Sequence, residues 1–140
     1  MANNVEMLVT ALSESGYRVT QPRRAVIEAL CRARRSLDPE TLCTRARNLH
    51  AAVGLATVYR TLDMLQELGF CSRVQIGGKG YALTCGESKM HVHLVCSHCM
   101  GVTELEADDA MASLKRKLDT TGFTSQAHAI EVVGLCAKCK

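Results

Sequence analysis

The chain has 140 residues, 47 % of them hydrophobic, and a formal net charge of +3. That is enough apolar material for one ordinary globular domain or two small lobes, and too little charge to identify a partner. No apolar run approaches the roughly 20 residues a membrane helix needs, and Met1–Glu6 lacks the basic start and apolar stretch of a signal peptide. A cytoplasmic protein with no membrane association is the simplest expectation.

The first 70 residues read as helices with clear punctuation. Val5, Leu8, Val9 and Leu12 are periodic, and the run stops at Gly16, a suitable C-terminal cap. Thr20-Gln21-Pro22 starts a second helix, because Thr caps and Pro is tolerated in the first turn; Val26, Ile27 and Leu30 form its stripe. Asp38-Pro39-Glu40 starts a third by the same logic, with Leu42, Ala46 and Leu49 on its inner face. Gly54 precedes a fourth, Leu55 to Leu68, with Leu55, Val58, Leu62, Leu65 and Leu68 spaced three or four apart. Its opposite face carries Thr57, Arg60, Thr61, Asp63 and Glu67. Cys71–Ile76 and Tyr81–Thr84 flank Gly77-Gly78-Lys79-Gly80 and predict a β-hairpin. Helices followed by such a hairpin are the order of a winged helix-turn-helix.

The polar stretch beginning Cys85-Gly86-Glu87-Ser88-Lys89 suits a hinge. Beyond it, His91–Cys96 and Val102–Glu106 read as strands, Asp108–Thr121 as one helix closed by Gly122, and Phe123–Leu135 as a third strand. The expected fold class is therefore α+β. It divides into a winged helix-turn-helix domain over 1–84, a hinge over 85–90 and an α/β domain over 91–140. Charge divides in the same way. Residues 1–82 hold 11 Lys/Arg against 7 Asp/Glu, whereas residues 83–140 hold 6 against 7. A basic first half suits phosphate contact, although Arg that simply solvates helix surfaces leaves the same record.

Eight cysteines in such a chain argue for metal or redox chemistry over a disulfide framework. Cys96-Ser97-His98-Cys99 and Cys136-Ala137-Lys138-Cys139 are matched Cys-x-x-Cys knuckles. A two-residue spacer lets one turn present two thiolates to tetrahedral Zn²⁺. The pairs lie far apart in sequence, so the intervening helix and strand must bring the chain back, and the ion would clip the last strand to the first. Four thiolates leave no open position for water, which argues for a structural zinc over a catalytic one. A single pair would have left redox exchange a serious option.

A second constellation surrounds the first knuckle. His91 and His93 alternate on one strand, so both imidazoles share a face. Glu104 lies on the neighbouring predicted strand and Cys85 in the hinge. One thiolate, two imidazoles and a carboxylate make a four-ligand set suited to Zn²⁺. Surface histidines and a partly exposed free thiol remain the alternative. His98 is expected to face solvent, and His50 and His128 to be structural.

Together these residues resemble the ferric uptake regulator family of bacterial metal-sensing repressors, from about Thr20 to Cys139. The resemblance rests on Gly54-Leu-Ala-Thr-Val-Tyr-Arg-Thr-Leu62, on His91-Val-His-Leu-Val-Cys-Ser-His-Cys99, and on Gly122-Phe123, His128 and Cys136-Ala-Lys-Cys139. It implies that 91–140 dimerises and that the helix Leu55–Leu68 enters the DNA major groove. Tyr59 and Arg60 match its DNA-contacting positions, Thr57 lies on the same helix, and Arg23 near the second helix start is placed to touch the backbone. Iron- and peroxide-sensing members usually carry a His in the loop before the third helix, where this chain has Arg35-Ser36-Leu37-Asp38-Pro39. They also place a carboxylate near Cys85, and a Cys there resembles the zinc-sensing branch. A further family site is expected to be absent, since Met90, Val92 and Met111 stand at its matching places.

The resulting expectation is a zinc-responsive repressor of zinc uptake genes. It would act as a homodimer on double-stranded operator DNA, with two zinc ions per chain. One is structural, at Cys96, Cys99, Cys136 and Cys139; the other is regulatory, at Cys85, His91, His93 and Glu104. An iron or peroxide sensor is the alternative within the family, and a zinc-containing thiol redox protein the alternative outside it. No Ser/His/Asp set and no phosphate-binding Gly loop argues for an enzyme.

Overall fold

A computed structural model describes residues 2–33, 36–74, 80–83, 91–124 and 129–140, with only the backbone described at a few of these, His91 among them. Four helices open the chain: α1 (Ala2–Glu14), α2 (Gln21–Cys31), α3 (Pro39–Arg47) and α4 (Leu55–Glu67). Each boundary has a local cause. Gly16 adopts φ 86° after α1, a conformation that costs glycine little. The Thr20 hydroxyl accepts from the Arg23 N–H at the start of α2. Asp38 caps α3 doubly, accepting from the Thr41 N–H and the Thr41 hydroxyl, each at 2.8 Å.

The helices enclose one core in which Leu12, Val26, Ile27, Leu42, Ala46, Val58, Leu62 and Leu65 are fully buried. Three sequence expectations fail here. Leu49 and Leu55 are each 38 % exposed, because Leu49 lies beyond the end of α3 and Leu55 opens the first turn of α4. Thr61, assigned to the polar face of α4, is fully buried. Its hydroxyl donates to the Thr57 carbonyl at 2.6 Å, which satisfies the polar group and lets the side chain pack.

After α4, β1 (Cys71–Val74) pairs antiparallel with β2 (Gly80–Leu83), in the register Cys71↔Leu83 to Val74↔Gly80. The glycine tip between them lies outside the described residues, as does the hinge containing Cys85. The rest of the chain forms β3 (His91–Cys96), β4 (Val102–Leu105), α5 (Asp108–Thr120) and β5 (Ala129–Gly134). The sheet order is β4-β3-β5, with β3 antiparallel to β4 and parallel to β5. The expected strand from Phe123 begins too early. Residues 121–124 are instead the exit of α5, where Gly122 adopts φ 71° and Phe123 is 61 % exposed.

This second lobe buries little on its own. Among the described residues, Val92, Val95, Cys96 and His93 are its buried side chains, and α5 buries none fully. Leu94, Leu105, Val132, Val133 and Leu135 are exposed. Among the described residues, no helix is long and apolar enough to cross a membrane.

Candidate metal centre

β3 ends at Cys96, and the chain turns at once. The Met100 N–H donates to the Cys96 carbonyl at 2.9 Å, and the Cys96 N–H to the Gly101 carbonyl at 3.0 Å. Met100 takes φ 57° to close this turn. The second knuckle closes in the same manner, with the Cys139 N–H donating to the Cys136 carbonyl at 2.9 Å. Parallel pairing of β3 with β5 brings the knuckles together, and the Ser97 N–H donates to the Gly134 carbonyl at 2.9 Å. Sulfur atoms of Cys96, Cys99, Cys136 and Cys139 consequently lie within 4.8 Å of one another.

The spacing fits zinc. Four sulfurs about 2.3 Å from a tetrahedral ion stand about 3.8 Å apart, and the Cys99 and Cys136 sulfurs are 3.9 Å apart. The electrostatics fit as well. Backbone N–H groups of Cys99 and Cys136 face the Cys96 sulfur and lower its pKa to about 6. The Cys136 sulfur, hydrogen-bonded to the Cys139 thiol, pushes that group up to about 12. One thiolate is thus favoured and a crowd of them is not; a bound dication reverses that balance. Among the described residues this is the group of three or more ligand-type side chains within reach of one ion.

The second expected set is described only in part. Cys85 lies outside the described residues, and so does the His91 side chain. His93 is fully buried on the central strand. Glu104 stands opposite it on β4, and Glu131 stands beside it on β5. A row of carboxylate, imidazole and carboxylate therefore runs across one face of the sheet. Sequence reasoning missed Glu131, because only the parallel register, set by the long connection through α5, places it there. On the other side His93 Nδ1 lies 3.4 Å from Ser72 Oγ of β1. His98 is exposed, as expected.

On α4, Tyr59 is 42 % exposed and Arg60 is exposed, while Thr57 is half-buried. Arg23 donates to the Arg18 carbonyl, and the neighbouring Arg24 pairs with Glu6. Two supports were not expected. Arg47 Nε donates to the Val53 carbonyl at 2.9 Å and braces the turn before α4. The Tyr17 hydroxyl donates to Glu67 at 2.6 Å, which ties the α1–α2 loop to the end of α4.

The sequence model of the ferric uptake regulator family matches residues 14–133. The chain belongs to this family. It is a metal-responsive transcriptional regulator and not an enzyme. A ferric uptake regulation protein of Cupriavidus metallidurans is 32 % identical over 91 % of this chain and 90 % of its own. Holo XcZur superposes with TM-score 0.79 at 30 % identity, covering 96 % of this chain and 95 % of that one. A zinc uptake regulator complexed with zinc and DNA superposes with TM-score 0.78 at 26 % identity, covering 96 % and 93 %. These likenesses agree with the expected architecture, a winged helix-turn-helix lobe followed by an α/β lobe.

Proposed function

We propose that this regulator is a zinc-responsive repressor that binds operator DNA as a metal-loaded homodimer and controls zinc uptake. The observation that carries the reading is the superposition of nearly the whole chain on two zinc regulators, one of them bound to zinc and DNA. In this reading residues 1–84 bind DNA, 85–90 are the hinge and 91–140 dimerise. Thr57, Tyr59 and Arg60 of α4 meet the major groove, with Arg60 able to fork onto guanine or phosphate. Arg23 steadies the lobe at the backbone.

The second lobe supports dimerisation on physical grounds. β5 is an edge strand, and exposed edges invite pairing. Val132 and Val133 on it are 51 % and 54 % exposed, and an open groove of about 640 Å³ runs over Leu94, Val102 and Val133 beside the knuckles. A second copy would cover both edge and groove.

The Cys96, Cys99, Cys136 and Cys139 zinc is permanent and builds this lobe. The exchangeable zinc at Cys85, His91, His93 and Glu104 fixes the angle between the two DNA-binding lobes. Two half-sites lie roughly one helical turn apart, so a small hinge rotation prevents both lobes from docking. Fluorescence anisotropy of a labelled duplex, at chelator-buffered free metal, tests the reading. Zinc should tighten binding and Cys85→Ser should abolish that response while leaving one zinc per chain. A Cys85→Ser protein with an intact metal response rejects the reading.

The iron reading draws on the name of the Cupriavidus relative. Activation by Fe²⁺ at far lower free concentration than Zn²⁺ would establish it instead.

A further inference from the structure

The turn between α3 and α4 is built around one peptide plane. Past the end of α3, the Leu49 and His50 N–H groups both donate to the Ala46 carbonyl, at 3.0 and 2.9 Å. The Val53 N–H donates to the His50 carbonyl at 3.1 Å, and the Val53 side chain is buried. Gly54 then opens α4 with no side-chain cap bond, and a Cβ built on it meets nothing within 4 Å. Close packing therefore does not require glycine here, and glycine permits more entry directions into the helix than another residue. The Val53 carbonyl shares a rigid plane with the Gly54 N–H, so whatever holds that oxygen sets the direction in which α4 leaves. Arg47 holds it: Nε donates to the Val53 carbonyl at 2.9 Å in a partly buried bond. The Cys43 sulfur stands 4.0 Å from the same oxygen, a weak donor at the limit of its reach.

We infer that Arg47 is a positioning residue for DNA binding: its Nε–H fixes the Val53–Gly54 peptide and thereby the tilt of α4. The inference rests on the reading above in which α4 meets the major groove. Tyr59 and Arg60 project from the exposed face of that helix. Arg60 lies about 9 Å along the axis from Gly54 at about 1.5 Å per residue, and a tilt of about 10° at Gly54 moves it by about 1.5 Å. Hydrogen-bond lengths spread over only about 0.5 Å, so such a tilt takes Arg60 out of register with a base edge. Arg47 does this without touching DNA itself.

The role belongs to one atom, and two neutral substitutions separate that atom from the charge. In glutamine the amide nitrogen stands as many bonds from the backbone as arginine Nε and keeps an N–H to donate. In methionine a methyl group stands there. Arg, Gln and Met have similar helix propensities, so α3 is treated alike by both changes. Arg47 lies in the last turn of α3, where a cation favours the helix dipole, and both variants lose that equally. One hydrogen bond biases the equilibrium it acts on by about 2- to 12-fold. A dimer must dock two such lobes, so the factors multiply to about 4- to 150-fold.

The test uses the full-length zinc-loaded protein and a duplex that the wild type enriches from random-sequence DNA. Affinity is measured well below the melting midpoint of every variant, where lost stability alone leaves the affinity of the folded protein unchanged. Arg47→Met should bind about 4- to 150-fold more weakly than Arg47→Gln. Hydrogen exchange without DNA supplies a second reading. The Val53 and Val58 amides, bonded to the His50 and Gly54 carbonyls, should exchange faster in Arg47→Met than in Arg47→Gln. Equal loss of affinity in both variants would make Arg47 a charge on phosphate, and no loss in either would mean that α4 keeps its tilt unaided. Each of these results, or equal exchange in the two variants, overturns the inference. If no duplex is enriched, the DNA-binding reading itself fails, and the exchange measurement alone decides whether Arg47 fixes the entry of α4.

Discussion

Removing one cysteine of the knuckles should unfold one lobe and spare the other. The N-terminal core runs from Val5 to Cys71 and contains no residue of the second lobe. Among the described residues of 91–140 the buried apolar side chains are Val92, Val95 and Cys96, which together contribute only about 6 kcal/mol at roughly 2 kcal/mol each. A structural zinc contributes on the order of 10–16 kcal/mol, so the ion outweighs the lobe's own core. In Cys136→Ser, α5 and the β4-β3-β5 sheet should lose their order. The helices hold 13, 11, 9, 13 and 13 residues in chain order, so loss of α5 removes about one-fifth of the helical circular dichroism. The remaining four-fifths should melt in one transition of their own. Strong chelation of the wild type should yield the same spectrum. A Cys136→Ser protein with full helical signal and wild-type amide protection in β3 and β5 would refute the structural role of the metal.

Four further outcomes follow from single contacts. A Cβ at Gly101 would sit 3.2 Å from the Cys99 sulfur, so Gly101→Ala should speed zinc loss to a chromophoric chelator, while an unchanged rate would show that the knuckle yields freely. Asp38→Ala removes the α3 cap and should cost about 1 kcal/mol in urea denaturation. Asp38 has a folded pKa below its ordinary value, because the Thr41 N–H, and then its hydroxyl, donate to the carboxylate. Its contribution is therefore full above the unfolded pKa of about 4 and is lost as pH falls through the lower folded value; a stability gap between variant and wild type that widens on acidification would contradict the cap. Arg60→Ala should weaken DNA binding by about 1–3 kcal/mol if it forks onto a base, or lower the salt slope by about 1 if it meets only phosphate; no change in either would remove Arg60 from the interface. Val133→Asp places a charge on the exposed β5 edge and should shift the protein toward monomer in sedimentation, whereas an unaltered dimer would place the interface elsewhere.

Much of the fold was legible because punctuation is local. Thr20, Asp38 and Gly16 act within a turn of themselves, and each boundary they mark falls within a residue or two of the structure. What failed depended on tertiary context. Leu55 and Leu49 fit a helical period but sit at helix ends, where the period no longer faces the core. Thr61 looked polar by type, and only a bond to its own helix made burial affordable. The knuckles were legible because a two-residue spacer is itself a geometry. Glu131 and Ser72 were not, since each meets His93 only through a pairing set by residues distant in sequence.

The two lobes differ in what they need in order to fold, and that difference suits a regulator. The four-helix core closes around its own side chains and presents Tyr59 and Arg60 on a surface that does not depend on metal. Among the described residues the sheet lobe has a thin core, an open edge and an α5 without a fully buried residue, so under the proposed function an ion and a partner complete its order. A ligand shifts an equilibrium only by its differential affinity for the two states. Under the proposed function, the permanent zinc makes β3 a fixed platform, and the exchangeable zinc then acts on the angle between the two DNA-binding lobes. Linkage requires the reverse effect in the same measure: operator DNA must tighten the exchangeable zinc by the factor by which zinc tightens DNA. Binding the DNA must not alter the affinity of the four-cysteine zinc, which belongs to both states equally.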